Sequence, residues 1–238
     1  MINQLFFEMA HSKYFLFLLF TVFIIGESAA QELRTQFGDV YYDVNMHRSQ
    51  YNATIGTPYL KEAFTPCQIN DIRETQLVRF NAYNGTVEVK ISAAKVVLLD
   101  DAETYIIVLK DGSGKTYQTG KYFNHKGELV NSFFELIHQS DSYQLFVKEN
   151  IKYHKEVKAE GYKDAQPPSF KKAGASYFIT DLWEKTPHFK LLPNRLSVFL
   201  DLFPDQSKSL KKYIRVNRLK LDNPDDLITV LDRALSSS

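Results

Sequence analysis

The chain predicts an α+β protein: a predominantly antiparallel β-meander, curled or forming part of a barrel, followed by a short C-terminal helical cap. Three observations predict it. An Asn84-Gly85 pair separates two alternating runs, and further runs of five to ten residues with strand character follow across short polar turns. Over the last 48 residues the apolar spacing changes from period two to i, i+3, i+4, i+7.

The chain begins with a different kind of segment. Tyr14 to Ile25 is a run of twelve residues in which only Thr21 is not hydrophobic. It follows His11 and Lys13 and leads into Gly26-Glu27-Ser28-Ala29-Ala30, the order of a secretory signal. Twelve helical residues cover about 18 Å, whereas the hydrocarbon core of a bilayer is about 30 Å thick. The segment therefore reads as a signal peptide over residues 1–30, cut after Ala30 so that Gln31 leads the mature chain, with either Met1 or Met9 as the start. Nothing later approaches eighteen consecutive apolar residues, so no transmembrane span is expected in the mature chain.

Of the 238 residues, 29 are Lys or Arg and 28 are Asp or Glu. Removing Lys13, Glu8 and Glu27 with the signal leaves 28 cations against 26 anions, a charge of +2. That near-neutrality speaks against a protein built to neutralise nucleic-acid phosphates. A single cysteine, Cys67, cannot cross-link within the chain, and its Thr65-Pro66-Cys67-Gln68 setting reads as a turn with a surface or half-buried thiol, open to pairing between chains. Residues 31–190 form the expected β-rich domain, and residues 191–238 the short helices that pack on it.

Phe37 to Val44 and Asn52 to Ile55 read as weak first strands. Leu77 to Tyr83 and Thr86 to Ile91 alternate around Asn84-Gly85, the signature of a two-residue type I′ hairpin. Lys95 to Leu99 and Thr104 to Leu109 flank an acidic turn containing Asp100 and Asp101 and read as a second hairpin. Lys115 to Phe123, Glu128 to Ile137 and Tyr143 to Val147 continue the series across Gly-, Asn- and Ser-rich turns. Asn150 to Lys172, with seven lysines among positions 148–172, reads as an exposed connection with an edge strand near Ile151 to Val157. Ser176 to Thr180 is the last expected strand.

Three helices then follow. Leu196, Phe199, Leu200 and Phe203 make one apolar stripe behind Asn194, and Pro204 stops it. Leu210, Tyr213 and Ile214 make a second behind Asp205 or Ser207. Asn223-Pro224-Asp225-Asp226 combines an N-cap, an N1 proline and an acidic first turn ahead of Leu227, Ile228, Leu231 and Leu235. Helices this short need a surface to dock on.

The motifs that carry chemistry are sparse. Gly114-Lys115-Thr116 resembles the end of a phosphate-binding loop, but Leu109 stands where the first glycine is required, and the segment joins two strands. The histidines, at 11, 47, 125, 138, 154 and 188, do not fall at metal-ligand spacing, and no cofactor motif is present. Asp225-Asp226 reads as a helix cap. Lys208, Lys211, Lys212, Arg215 and Arg218, with Lys220 beyond them, read as the solvated face of an amphipathic helix or, alternatively, as a basic docking face suited to peripheral contact with anionic lipid or another acidic surface. The strand aromatics, Phe80, Tyr117 and Phe133 among them, suit a half-buried pleated surface and also the wall of an apolar cavity.

Gly56-Thr57-Pro58-Tyr59-Leu60, Arg79-Phe80-Asn81-Ala82-Tyr83 with Glu88-Val89-Lys90, and the ending Lys211-Lys212-Tyr213-Ile214 to Asp226-Leu227-Ile228 resemble a group of exported proteins of flavobacteria and related Bacteroidetes. The resemblance implies a Gram-negative envelope context, periplasmic or outer-envelope, in which the sequons at Asn52 and Asn84 are idle. It carries no activity, so it assigns no catalytic residue. The expected function is that of a non-enzymatic exported envelope protein with a binding or structural role. The alternatives are a carrier of an apolar ligand or lipid inside the curled sheet, and a hydrolase assembled from dispersed residues such as His125 or His138 and a carboxylate. The expected partner is an envelope protein or an apolar ligand.

Overall fold

The computed structural model describes residues 41–42, 53–93, 95–100, 103–159, 161–162, 164–181 and 188–235. The signal segment, the Ala30–Gln31 junction and most of the strand expected at 37–44 lie outside the described residues.

Among the described residues, eleven strands form one antiparallel sheet. They are β1 (Tyr41–Tyr42), β2 (Thr65–Ile69), β3 (Gln76–Asn81), β4 (Thr86–Lys90), β5 (Val96–Leu98) and β6 (Ile106–Leu109). The remainder are β7 (Thr116–Phe123), β8 (Leu129–Gln139), β9 (Tyr143–His154), β10 (Ser169–Asp181) and β11 (Lys190–Leu192). Their order across the sheet is β1-β5-β4-β3-β2-β6-β7-β8-β9-β10-β11. Two meanders therefore meet back to back at the β2–β6 pair. This corrects the expected hairpin around Asp100 and Asp101: β5 pairs with β4 and β1, while β6 pairs with β2 and β7. Asp101 lies outside the described residues.

β2 corrects the turn expected around Cys67. Pro66 stands at the end of the β2–β6 ladder, where its carbonyl accepts the Lys110 N–H at 2.8 Å. The one return bond that proline cannot donate is lost at the end of the ladder and not within it. Cys67, the next residue, is paired with both Gln76 and Leu109 and has no exposed surface. Burial pushes its thiol up to about 12, so it is an inert core group.

The β3–β4 hairpin forms with a four-residue loop in place of the expected two-residue turn. Asn81 pairs with Thr86, and its side-chain oxygen accepts the N–H groups of Tyr83 and Asn84 at 3.2 and 3.0 Å. This local bonding by Asn holds the loop open by two residues. Gly85 takes the positive φ of 75°.

The sheet is open but strongly curled. β3 and β8 are four places apart, a flat separation of about 19 Å, yet the rings of Phe80 and Phe133 are centred 5.0 Å apart. Their meeting, with Val78, Val89, Ile107 and Tyr117, fills the inside of the curl. Phe134 points to the opposite face because successive strand residues alternate. There it stacks on Phe189 at 3.9 Å and meets Phe178 at 4.8 Å, in a second core with Phe146. Strand β8 is thus buried on both faces. Gly120 on β7 permits this second core, since a Cβ there would sit 2.3 Å from the Phe189 ring.

The expected exposed connection at 150–172 shrinks to residues 155–168, because β9 runs on to His154 and β10 begins at Ser169. Ile151 and Phe170 explain the extension: both are buried and join the core of the curl. Lysines alternate with them on the outer face, which is why the stretch looks polar along the sequence.

Three helices follow: α1 (Leu196–Leu200), α2 (Ser207–Val216) and α3 (Pro224–Leu235). Arg195, not Asn194, stands at the N-cap of α1, and its side chain makes no cap bond. Pro204 opens a 3-10 turn (Pro204–Gln206), so Phe203 lies outside the helix while its ring still packs on Phe199 at 5.5 Å. For α3 the expected cap is present: Asn223 Oδ1 accepts the N–H groups of Asp225 and Asp226 at 3.0 and 3.1 Å. Phe199, Ile214, Leu227 and Leu231 dock on Tyr143, Leu145 and Leu192 of the sheet. Each such buried side chain contributes about 1.5–3 kcal/mol, which the isolated helices lack. Among the described residues no helix is long and apolar enough to cross a membrane.

Candidate functional site

Beside the mouth of the curl, on the face of β3 and β4 opposite Phe80, lie two buried charges. Arg79 on β3 donates through Nε to Glu88 Oε2 at 3.0 Å, and Tyr59 Oη donates to Glu88 Oε1 at 3.0 Å. Directly paired β3 and β4 residues share a face, which brings the pair together. The guanidinium carbon lies 3.8 Å from the Tyr59 ring centre and 4.5 Å from that of Phe64. A crevice of about 100 Å³ opens beside it, lined by Lys61, Lys115, Lys172 and Glu149. Lys61 pairs with Asp111, Lys115 with Glu135 and Lys172 with Glu149. Ser113, then Lys61, hold the Asp111 carboxyl well below the usual carboxylate range. The mouth is a closed, charge-balanced network, and the interior behind it is filled by side chains.

A larger space lies at the other end of the sheet. A groove of about 580 Å³ lies between the helical cap and the ends of β9, β10 and β11. Ile179, Leu191, Leu192, Leu202, Phe203 and Leu235 supply its apolar lining. Ser142, Tyr143, Thr180 and Lys190 supply its polar atoms. Leu191 and Leu202 are about half exposed, at 51% and 49%, so the groove presents apolar surface to solvent. It exists because a strand end and a helix end meet without interdigitating there: α1 stops at Leu200, and the chain turns through Leu202 and Phe203 into the 3-10 segment. A few polar groups in a mostly apolar concavity of this volume are what small-molecule sites share.

A polar latch closes one side of the groove. Tyr143 Oη donates to Asp232 Oδ1 at 2.7 Å, tying β9 to α3. A bulge in β8 between Leu136 and His138 turns both Ile137 and His138 toward the cap. His138 Nε2 reaches within 3.9 Å of Asp232 Oδ1, outside hydrogen-bond distance, and the imidazole lies 5.5 Å from the Tyr143 ring. Burial, then the bond to Asp232, keep the Tyr143 phenol protonated far above its ordinary range, so it serves as a donor. His125, the other histidine singled out in the sequence, is exposed in the turn between β7 and β8.

The basic face is on α2 and just beyond it. Lys208, Lys211, Lys212, Arg215, Arg218 and Lys220 are all exposed, opposite the buried Leu210 and Ile214. The groove residues carry no signature in the sequence, where Leu191 and Leu202 look like any core leucine. Only Leu202, which falls between Leu200 and Phe203 of the helical stripe and two residues before Pro204, departs from the core spacing.

Comparison with known proteins finds no matching family model, no significant match to a curated protein and none to a solved structure.

Proposed function

We propose that this is an exported, non-enzymatic binding protein of a bacterial envelope, and that it holds an apolar ligand, such as the acyl chain of a lipid, in the groove between the helical cap and the sheet. The observation that carries the reading is the groove itself: about 580 Å³, lined mainly by leucine, isoleucine and phenylalanine, with exposed leucines at its rim. Burying exposed apolar surface drives such association at about 25 cal/mol per Å². The inside of the curl, where a carrier site was first expected, is occupied by Phe80, Tyr117 and Phe133. Export is supported by the Tyr14 to Ile25 run with small residues before Gln31, and the envelope setting by the resemblance to exported flavobacterial proteins.

Mass spectrometry of the protein after native extraction is expected to find a co-purifying lipid or fatty acid. Leu202→Asp, which places a carboxylate at the half-exposed rim, is expected to lower its retention at least tenfold, with stability changed by no more than about 0.5 kcal/mol. A clean wild-type preparation that also fails to take up an added fatty acid overturns the reading, as does unchanged retention in the Leu202 variant.

A further inference from the structure

The groove leaves the outer surface of α2 unexplained. On a helix advancing about 100° per residue, Lys208, Lys211, Lys212 and Arg215 fall within an arc of about 100°. Arg218 and Lys220 extend the charge past the helix end. None of these six cations forms an ion pair among the described residues, in contrast to Lys61, Lys115 and Lys172 at the mouth of the curl. Of the cap's acidic side chains, Asp232 accepts from Tyr143 and Asp226 accepts the Lys220 backbone N–H at 2.9 Å, while Asp201, Asp205, Asp222 and Asp225 form no ion pair with these cations among the described residues. Positive charge is therefore segregated on one exposed face.

Two further features belong to that face. Val216, next to Lys212 around the helix, is 70% exposed and gives the basic stripe an apolar margin. Arg218 ends the helix at a φ of 55°, and Leu219 N–H closes the turn on the Ile214 carbonyl at 3.0 Å. That position ordinarily takes glycine, because a Cβ is strained there. The chain places another cation at it.

We infer that the α2 face is a docking surface for an anionic lipid bilayer. The charge complementarity is that of a plane: a row of mostly lysine point charges along the outer surface of a helix, none of them lining the pocket beside it at Ser209 and Tyr213, fits a sheet of headgroup phosphates better than a shaped partner. An apolar residue at the edge of a basic helix face belongs at the headgroup boundary, where it reaches the start of the acyl region. The inference does not depend on whether the groove takes a ligand.

The test is co-sedimentation of the full chain with vesicles of phosphatidylcholine alone or mixed with phosphatidylglycerol, at low and high salt. The neutral vesicles measure whatever Tyr14 to Ile25 contributes by itself, and the difference between the two compositions reads the basic face. Binding is expected to favour the anionic vesicles and to be released by salt. Each cation near such a surface contributes about fivefold, so K208Q/K211Q/K212Q/R215Q is expected to lose nearly three orders of magnitude, about 600-fold, of that preference. Replacing the three lysines by arginine is expected to restore it, separating charge from folding. K152Q/K155Q/K158Q/K171Q removes equal charge from the exposed lysines of the β9–β10 region and is expected to bind as wild type. Equal wild-type binding to both vesicles, an undiminished preference in the α2 variant, or an equal loss in the β9–β10 variant overturns the inference.

Discussion

The curled half of the sheet and its capped half bury apolar surface in different ways. Around β2 to β8 the sheet covers itself: one strand's side chains interleave with those of a strand four places away, as Phe80 and Phe133 do, and the interior is solid. Around β9 to β11 the covering element is a separate set of short helices, and the join leaves a groove of about 580 Å³. Interdigitation between strands of one curled sheet is set by register at every residue, whereas a docked helix meets the sheet only along its apolar stripe. A seam of the second kind is where ligand-sized space survives.

The contrast can be broken most severely at the curled half, at the ion pair on the face of β3 and β4 opposite Phe80 and Val89. Glu88→Ala strands the Arg79 guanidinium, which is 8% exposed, without its carboxylate, and is expected to cost about 3–5 kcal/mol in denaturant unfolding. Replacing both partners, as Arg79→Met with Glu88→Leu, is expected to recover most of that loss. A loss in the double variant as large as in the single one would show that the pair itself, and not the stranded charge, matters.

A smaller effect tests the face that the curl turns outward. Gly120→Ala drives a methyl into the Phe189 ring at 2.3 Å and is expected to cost about 1–3 kcal/mol through overpacking. Phe189→Leu in the same chain is expected to relieve part of it, so additive losses in the thermal unfolding of the double variant would contradict the packing described.

The smallest effect lies in the cap. Asn223→Ala leaves the Asp225 and Asp226 N–H groups without their side-chain acceptor and is expected to lower stability by about 1 kcal/mol. Hydrogen exchange is expected to quicken over α3 and to leave β7 and β8 unchanged. Uniform quickening over both regions would mean that the cap and curl open as one unit.

Much of this was legible before folding, and the misses have physical causes. The cap box at Asn223 to Asp226 and the strands around Gly85 and Gly114 depend on local chemistry, so residue order reveals them. β2 was hidden because Thr-Pro-Cys reads as a turn until β6 takes the place beside it and Pro66 falls at the ladder's end. The second half of β9 showed only as an edge strand near Ile151 to Val157, and the first half of β10 was hidden because its lysines outnumber Phe170. His138 was visible as a residue, but its approach to Asp232 follows from a bulge and a helix dock 94 positions apart in the chain. The groove was not visible at all, since exposure is not a property of a leucine in a sequence.

Taken by itself, the residue order determined where most of the strands and the helices arise, that the sheet is antiparallel and the helices come last, and that positive charge concentrates on α2. Periodicity, turn chemistry and caps act over a few residues, and so they can be read a few residues at a time. Only the tertiary structure decided that β2 pairs with β6, that the sheet curls until Phe80 meets Phe133, and that the helices dock short of full closure. Those outcomes depend on which distant surfaces bury one another, and they left one end of the molecule solid and the other with an open apolar groove.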